Sequence, residues 1–204
     1  MCRLLETIRY ENGRFDHLKY HRQRMKYSQK ICFGLENEPR LLSSLQKAKE
    51  EQFADLENGL FKCRVVYDSQ IREIRFLPYV LPVIRSLRLV QCDDLDYSLK
   101  YEDRSRLNLL FGQRGGADDI LIVKNGWITD TSYCNVLFFN RKRWLTPEQP
   151  LLKGTQRAAL LETERVETAR IRPGDLKLFS GIRLMNAMIR FEDKLDIPME
   201  NVSW

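Results

Sequence analysis

The sequence predicts an α+β fold in two parts, and three observations predict it. Short runs of alternating apolar and polar residues recur along the chain, the mark of half-buried strands. Asn12-Gly13 and Asn125-Gly126 are strong hairpin signals between such runs. Helical spacing is confined to separate stretches, which suggests segregated helices rather than alternating βαβ units. At roughly 100–200 residues per domain, a chain of 204 residues is one generous domain or two small ones.

The elements follow in order. Leu4 to Tyr10 reads as a strand, and Arg14-Phe15 resumes it after the first hairpin signal. His17 to Phe33 and Pro39 to Leu56 read as helices; the second has Leu41, Leu42, Leu45, Ala48 and Phe53 near helical spacing, with Pro39 suited to a first turn. Leu60 to Tyr67 puts Phe61, Cys63, Val65 and Tyr67 on one face and Lys62 and Arg64 on the other, and Ile71 to Leu77 repeats the pattern. Pro78 to Pro82 breaks it, because proline cannot donate to a ladder. The boundary is placed near 78–86, giving a small α/β domain over 1–82 and a larger one over 83–204. In the second, Ser86 to Gln91 is a strand, Asp103 to Gln113 a short helix, and Ile120 to Val123 and Trp127 to Thr129 flank the second hairpin signal. Asn135 to Phe139 and Arg143 to Thr146 are strands, Thr155 to Glu167 an amphipathic helix, and Leu184 to Ile189 a last strand.

Composition excludes several classes. Hydrophobic residues make up 43% and charged residues 30%, which argues against wholesale disorder. No apolar run approaches the ~20 residues of a bilayer span, and the charged opening MCRLLETIRYENGR has no secretory apolar core. Five scattered cysteines (Cys2, Cys32, Cys63, Cys92, Cys134), with only His17 and His21 beside them, support neither a zinc site nor a disulfide framework. The expectation is a cytoplasmic protein with reduced thiols. The net charge of +6 leaves nucleic acid open, with His17 to Lys30 the densest basic stretch. Acidic residues are interleaved almost everywhere, so a solvated helix face or a small anion accounts for the charge as well.

Walker, GxGxxG, GxSxG and HExxH motifs are all missing. Candidates therefore come from scattered residues. Lys100 lies among Tyr97, Leu99 and Tyr101, which could desolvate it, and burial lowers a lysine pKa as a Schiff-base lysine requires. Gly154-Thr155-Gln156-Arg157 opens a helix, and helix N-termini bind phosphate. Asp130 ends a hairpin strand, where it is either a turn-stabilising acid or a carboxylate for a heterocyclic nitrogen. Arg24 on the basic helix is either a solvated cation or a phosphate ligand. Arg64 is either a surface cation or a site for a substrate carboxylate.

In their order, Arg24, Lys100, Asp130 and the helix opening at Gly154 resemble the class IV aminotransferases, the fold-type IV pyridoxal-phosphate (PLP) enzymes. Leu5-Glu6-Thr7-Ile8-Arg9, Asn12-Gly13 and Tyr20-His21-Arg22-Gln23-Arg24-Met25 look like the family's "FET…dG…H..RL" opening. Leu99-Lys100, with Tyr101 and Arg104 following, looks like the cofactor-lysine segment. Asn125 to Asp130 and Asn135-Val136-Leu137-Phe138 look like "G.vtE…N.F", and Leu145-Thr146-Pro147 to Arg157 looks like "TP…l.GitR". Asn186-Ala187-Met188 resembles a late "N-[AS]-[LM]" segment.

The resemblance implies a D-amino acid aminotransferase-like fold of two α/β subdomains with the cofactor between them. Lys100 would be the Schiff-base lysine and proton shuttle. Arg24, the N–H groups of Thr155 and Gln156, and nearby Asn186 would hold the phosphate. Asp130 would face the pyridine nitrogen. The family usually has Glu there, so the shorter side chain would need a shifted ring or a bridging water. Relatives also carry a strand and a "D.g..yGdg" turn before the first strand here, so the first domain is expected to be truncated at its start. The chemistry implied is loss of a Cα proton from an anionic small-molecule substrate by a homodimer. 4-Amino-4-deoxychorismate lyase, acting in folate biosynthesis, is the favoured activity. Branched-chain or D-amino acid transamination is the alternative, as is a degenerate PLP-binding relative without catalysis.

Overall fold

Leu4, Glu6, Ile8 and Tyr10 alternate along strand β1 (Leu4–Glu11), and all four are fully buried. An acid thus occupies one position of a strand face that is otherwise apolar. A computed structural model of the chain describes residues 2–37, 39–52 and 59–204. The chain divides into two units, Met1–Leu81 with Leu99–Asp103, and Pro82–Ser98 with Arg104–Trp204.

In the first unit, β1 is flanked by β2 (Arg14–Phe15) and by β3 (Leu60–Tyr67), which in turn pairs with β4 (Ile71–Pro78), all antiparallel. Asn12 and Gly13 carry the hairpin, with φ of 49° and 81°. Helices α1 (Leu18–Phe33) and α2 (Leu41–Gln52) supply Met25, Leu41 and Leu45 to the core beside Ile8, Val65 and Phe76. His17 stands before α1 in a left-handed conformation, and Pro39 precedes α2 rather than opening it. Phe53 and Leu56, expected in the second helix, lie outside the described residues. Pro78 closes β4 instead of breaking it beforehand.

Lys100, expected with the second domain, belongs to the first unit. The cause is a main-chain attachment: Leu5 N–H donates to Lys100 O at 2.8 Å, Glu102 N–H donates to Arg3 O at 2.9 Å, and Leu4 and Tyr101 form a β-bridge.

The second unit is built on a nine-stranded sheet. Its strands are β5 (Leu87–Gln91), β6 (Asp119–Lys124), β7 (Trp127–Thr131), β8 (Asn135–Phe139), β9 (Trp144–Pro147), β10 (Glu167–Ala169), β11 (Gly181–Met185), β12 (Leu195–Ile197) and β13 (Val202–Ser203). Helix α3 (Ser105–Phe111) links β5 to β6 and helix α4 (Thr155–Glu162) links β9 to β10; both strand pairs are parallel. Two parallel crossovers therefore stand where only hairpins were expected. β8 is the centre of the arrangement: β11 runs along one edge, while the other is shared between β7 at Asn135 and β9 at Phe138–Phe139. Leu121, Val136, Phe138, Ile182 and Leu184 fill the core.

Two expected elements differ in extent. The helix expected to reach Glu167 ends at Glu162, because Glu164 turns left-handed (φ 54°). Arg165 N–H then donates to Leu160 O and Glu164 N–H to Leu161 O, a Schellman closure made without glycine. Glu167, read as the last residue of that helix, instead opens β10. The strand expected over 184–189 is β11, and residues 186–189 form a turn closed by mutual main-chain bonds between Asn186 and Ile189.

Candidate active site

The first unit resolves the buried acid of β1 with two residues from α1. His21 and Arg24 are three apart, so they share a helix face. His21 Nδ1 lies 2.6 Å from Glu6 Oε2, and Arg24 donates from Nε to Oε1 at 2.8 Å and from Nη2 to Oε2 at 2.5 Å. Burial opposes ionisation of Glu6, but the Arg24 charge and the hydrogen bonds from Arg24 and His21 outweigh it and bring its pKa down to about 2. Burial lowers the His21 pKa against the pull of Glu6, so the imidazole is neutral and its Nδ1–H is the donor to the carboxylate. Arg24, read from sequence as a phosphate ligand, is therefore a cation held in place by an acid on the neighbouring strand.

Lys100 is half-buried, between the buried Leu99 and the half-buried Tyr101, alongside the first residues of β1. Arg64 lies on the polar face of β3, donating to Glu102 Oε1 at 2.6 Å and to Glu73 Oε2 at 3.3 Å. Both acids are shared with other cations, Glu102 with Arg3 and Glu73 with Arg75.

The second unit brings Asp130, Thr155 and Gln156 to one place. Asp130 is buried near the end of β7, opposite Asn135. Its Oδ1 accepts from Asn135 Nδ2 at 2.8 Å and its Oδ2 from Leu152 N–H at 2.9 Å. Burial raises its pKa to about 6 against these bonds and the charge of Arg157. Gly154 then precedes α4, whose first residues Thr155, Gln156 and Arg157 are buried. First-turn N–H groups form the positive end of a helix dipole. Arg157 donates to Thr146 Oγ1 at 3.2 Å and to Pro147 O at 2.8 Å, tying the helix start to β9.

Asn186 organises the turn after β11. Its Oδ1 accepts from Met188 N–H at 2.7 Å and Ile189 N–H at 3.0 Å, and its Nδ2 is 3.3 Å from Cys134 Sγ, in the loop after Asp130. Its carboxamide oxygen is thus a turn-former. Sequence reasoning gave no role to Glu6, His21, Asn135 or Arg157. The interruption of Leu4, Ile8 and Tyr10 by Glu6 was a signal for the first two; the others depend on tertiary contacts.

Comparison with known proteins places this arrangement. An uncharacterised protein of Haemophilus influenzae is 38% identical over 92% of this chain and 98% of its own length. The crystal structure of a candidate 4-amino-4-deoxychorismate lyase from Haemophilus somnus 129PT is 36% identical, with a TM-score of 0.86 over 94% of this chain and 98% of that one. The family "Amino-transferase class IV" matches residues 98–191. The chain belongs to the class IV amino-transferase family. A hypothetical aminotransferase of Mycobacterium tuberculosis in its PLP-bound form, 21% identical, shares the fold with a TM-score of 0.76 over 93% of this chain and 78% of that one. Class IV amino-transferases are PLP-dependent aminotransferases and lyases, and this chain is an enzyme of that family with its fold-type IV architecture.

The Asp130 carboxyl gives a pH-dependent expectation. Its folded pKa of about 6 lies above the ordinary 3.8, so the folded state holds the proton more tightly. Relative stability from this group is full below pH 3.8 and is lost as pH rises through 6. The loss is on the order of 3 kcal/mol. Asp130→Asn should therefore gain stability relative to the parent between pH 4 and pH 7.5, read by urea denaturation of the apo protein. A constant difference across that range would contradict the assignment.

Proposed function

We propose that this class IV enzyme is a 4-amino-4-deoxychorismate lyase, releasing 4-aminobenzoate and pyruvate in folate biosynthesis. The observation that carries the reading is the likeness to the H. somnus candidate lyase over nearly the whole of both chains. The cofactor of the reading is PLP, and two features of the second unit suit it. A buried carboxyl with a raised pKa is stabilised by a cationic N–H, which a protonated ring nitrogen provides. A helix start with buried residues and a glycine before it suits a phosphate.

When bound, the cofactor supplies an electron sink for loss of the proton on the amine-bearing carbon of the substrate. The protein does the rest. Arg24, oriented by Glu6, and the N–H groups of Thr155 and Gln156 would hold the phosphate. Asp130 would hold the proton on the ring nitrogen. Lys100 Nζ would hold the cofactor and would serve as the base for the substrate proton. Asn186 shapes the loop after Asp130. Departure of a leaving group from the substrate would make the enzyme a lyase, and delivery of the amino group to a keto acid would make it an aminotransferase. The reading includes an anionic substrate, a homodimer and a cytoplasmic location. Among the described residues no helix is long and apolar enough to cross a membrane.

A product assay tests it. Aminodeoxychorismate incubated with the PLP-loaded protein should yield 4-aminobenzoate and pyruvate with no keto acid added. Amino transfer that requires a keto acid, without pyruvate release, would make the enzyme an aminotransferase.

A further inference from the structure

Asn135 is the first residue of β8 and lies directly across from Asp130. Its Nδ2 donates twice, to Asp130 Oδ1 at 2.8 Å and to Leu152 O at 2.9 Å. Asp130 Oδ2 accepts from the N–H of the same Leu152. Both polar groups of the Leu152 backbone are thus bound into a closed ring with the two side chains. Asn135 has a second contact further along the loop. A Cβ built on Gly154 would sit 1.9 Å from Asn135 Oδ1. The φ and ψ of Gly154 are −69° and 148°, open to any residue, so glycine is needed here for space alone.

The helix starts at this point: Gly154 O accepts from Ala158 N–H at 3.0 Å. Asn135 therefore fixes, through one carboxamide, both the acid of β7 and the backbone that launches α4. We propose that Asn135 is a positioning residue that sets the first-turn N–H groups of α4 at a fixed distance from Asp130, so that one small ligand engages both. The inference rests on the PLP reading, in which ring nitrogen and phosphate belong to a single rigid ligand. It also gives the shorter Asp130 a reason to serve: Asn135 and Leu152 hold its carboxylate from both oxygens, which replaces reach with rigidity.

The test compares binding of PLP and of pyridoxal, which lacks the phosphate, followed by absorbance titration. Asn135→Ala should weaken PLP on the order of tenfold or more, and pyridoxal less, because only PLP uses the helix start. Gly154→Ala should weaken PLP in the parent by displacing the Asn135 carboxamide. In the Asn135→Ala background the same substitution should cost less than about twofold, since the obstructing group has gone. Equal losses for PLP and pyridoxal, or a full Gly154→Ala effect in both backgrounds, would overturn the inference. Should Asn135→Ala not fold, Asn135→Asp, which turns the donor toward Asp130 into an acceptor, serves with the same PLP-to-pyridoxal comparison. A parent protein that takes up no PLP would overturn the reading itself, whereas a parent that binds PLP and an Asn135→Ala variant that binds it equally well would overturn only the role of Asn135.

Discussion

Lys100→Ala is expected to abolish the visible absorption band of the PLP-loaded protein and to cost at least about 10²–10⁴-fold in turnover, the ordinary contribution of a positioned proton-transfer group. The reasoning runs from the main chain outward. Hydrogen bonds from Leu5 to Lys100 and from Glu102 to Arg3 clamp the peptide units around the lysine to β1. The buried Leu99 anchors the segment in the same core as Ile8 and Met25. The substitution removes the amine without touching those bonds, so the variant should fold and melt like the parent. A spectrum and a thermal melt taken together check this. A band that survives in Lys100→Ala would move the covalent role to another lysine, and the class IV reading of this segment would fail with it.

Some of this was legible from residue order. The Asn-Gly hairpins were, because the left-handed conformations at 12–13 and 125–126 are local properties of those side chains. The alternation of β3 was, because half-burial writes period two into a strand. The end of α4 was not. A Schellman closure normally advertises itself with glycine, and here Glu164 takes the left-handed position. Residues 163–167 then looked like more helix, when Glu167 in fact opens a strand whose parallel partner, β9, lies far back in the chain. The site divides in the same way. Lys100, Asp130 and the Gly154 helix start were singled out by type and order. The network binding Asp130, Asn135 and Leu152 was not, because its hydrogen bonds join residues that local patterns treat separately. Arg24 was read as a ligand with no account of its neighbours. The structure shows that its position is decided by an acid eighteen residues earlier in sequence.

That acid carries the second large effect. Glu6 is buried with a pKa of about 2 against an ordinary 4.5. A depressed carboxyl pKa contributes stability that is full above pH 4.5 and lost as pH falls through 2. The contribution is on the order of 3 kcal/mol. His21 acts in the same direction, because burial lowers its pKa and acid protonates it more readily in the unfolded chain. Glu6→Gln should therefore destabilise the apo protein by about 3 kcal/mol at pH 7, in keeping with the cost of removing one partner from a buried ion pair. The gap between variant and parent should close between pH 4.5 and 2, as the parent's own carboxylate takes up its proton. Urea denaturation of both proteins at pH 7, 4 and 2.5 measures this. An equal gap at all three would mean that Glu6 serves by its shape alone, and that the charge of Arg24 is held by some other group. If the gap closes, β1 and α1 are joined by a charge pair that also fixes the guanidinium proposed to meet the phosphate, so the same substitution should weaken PLP binding.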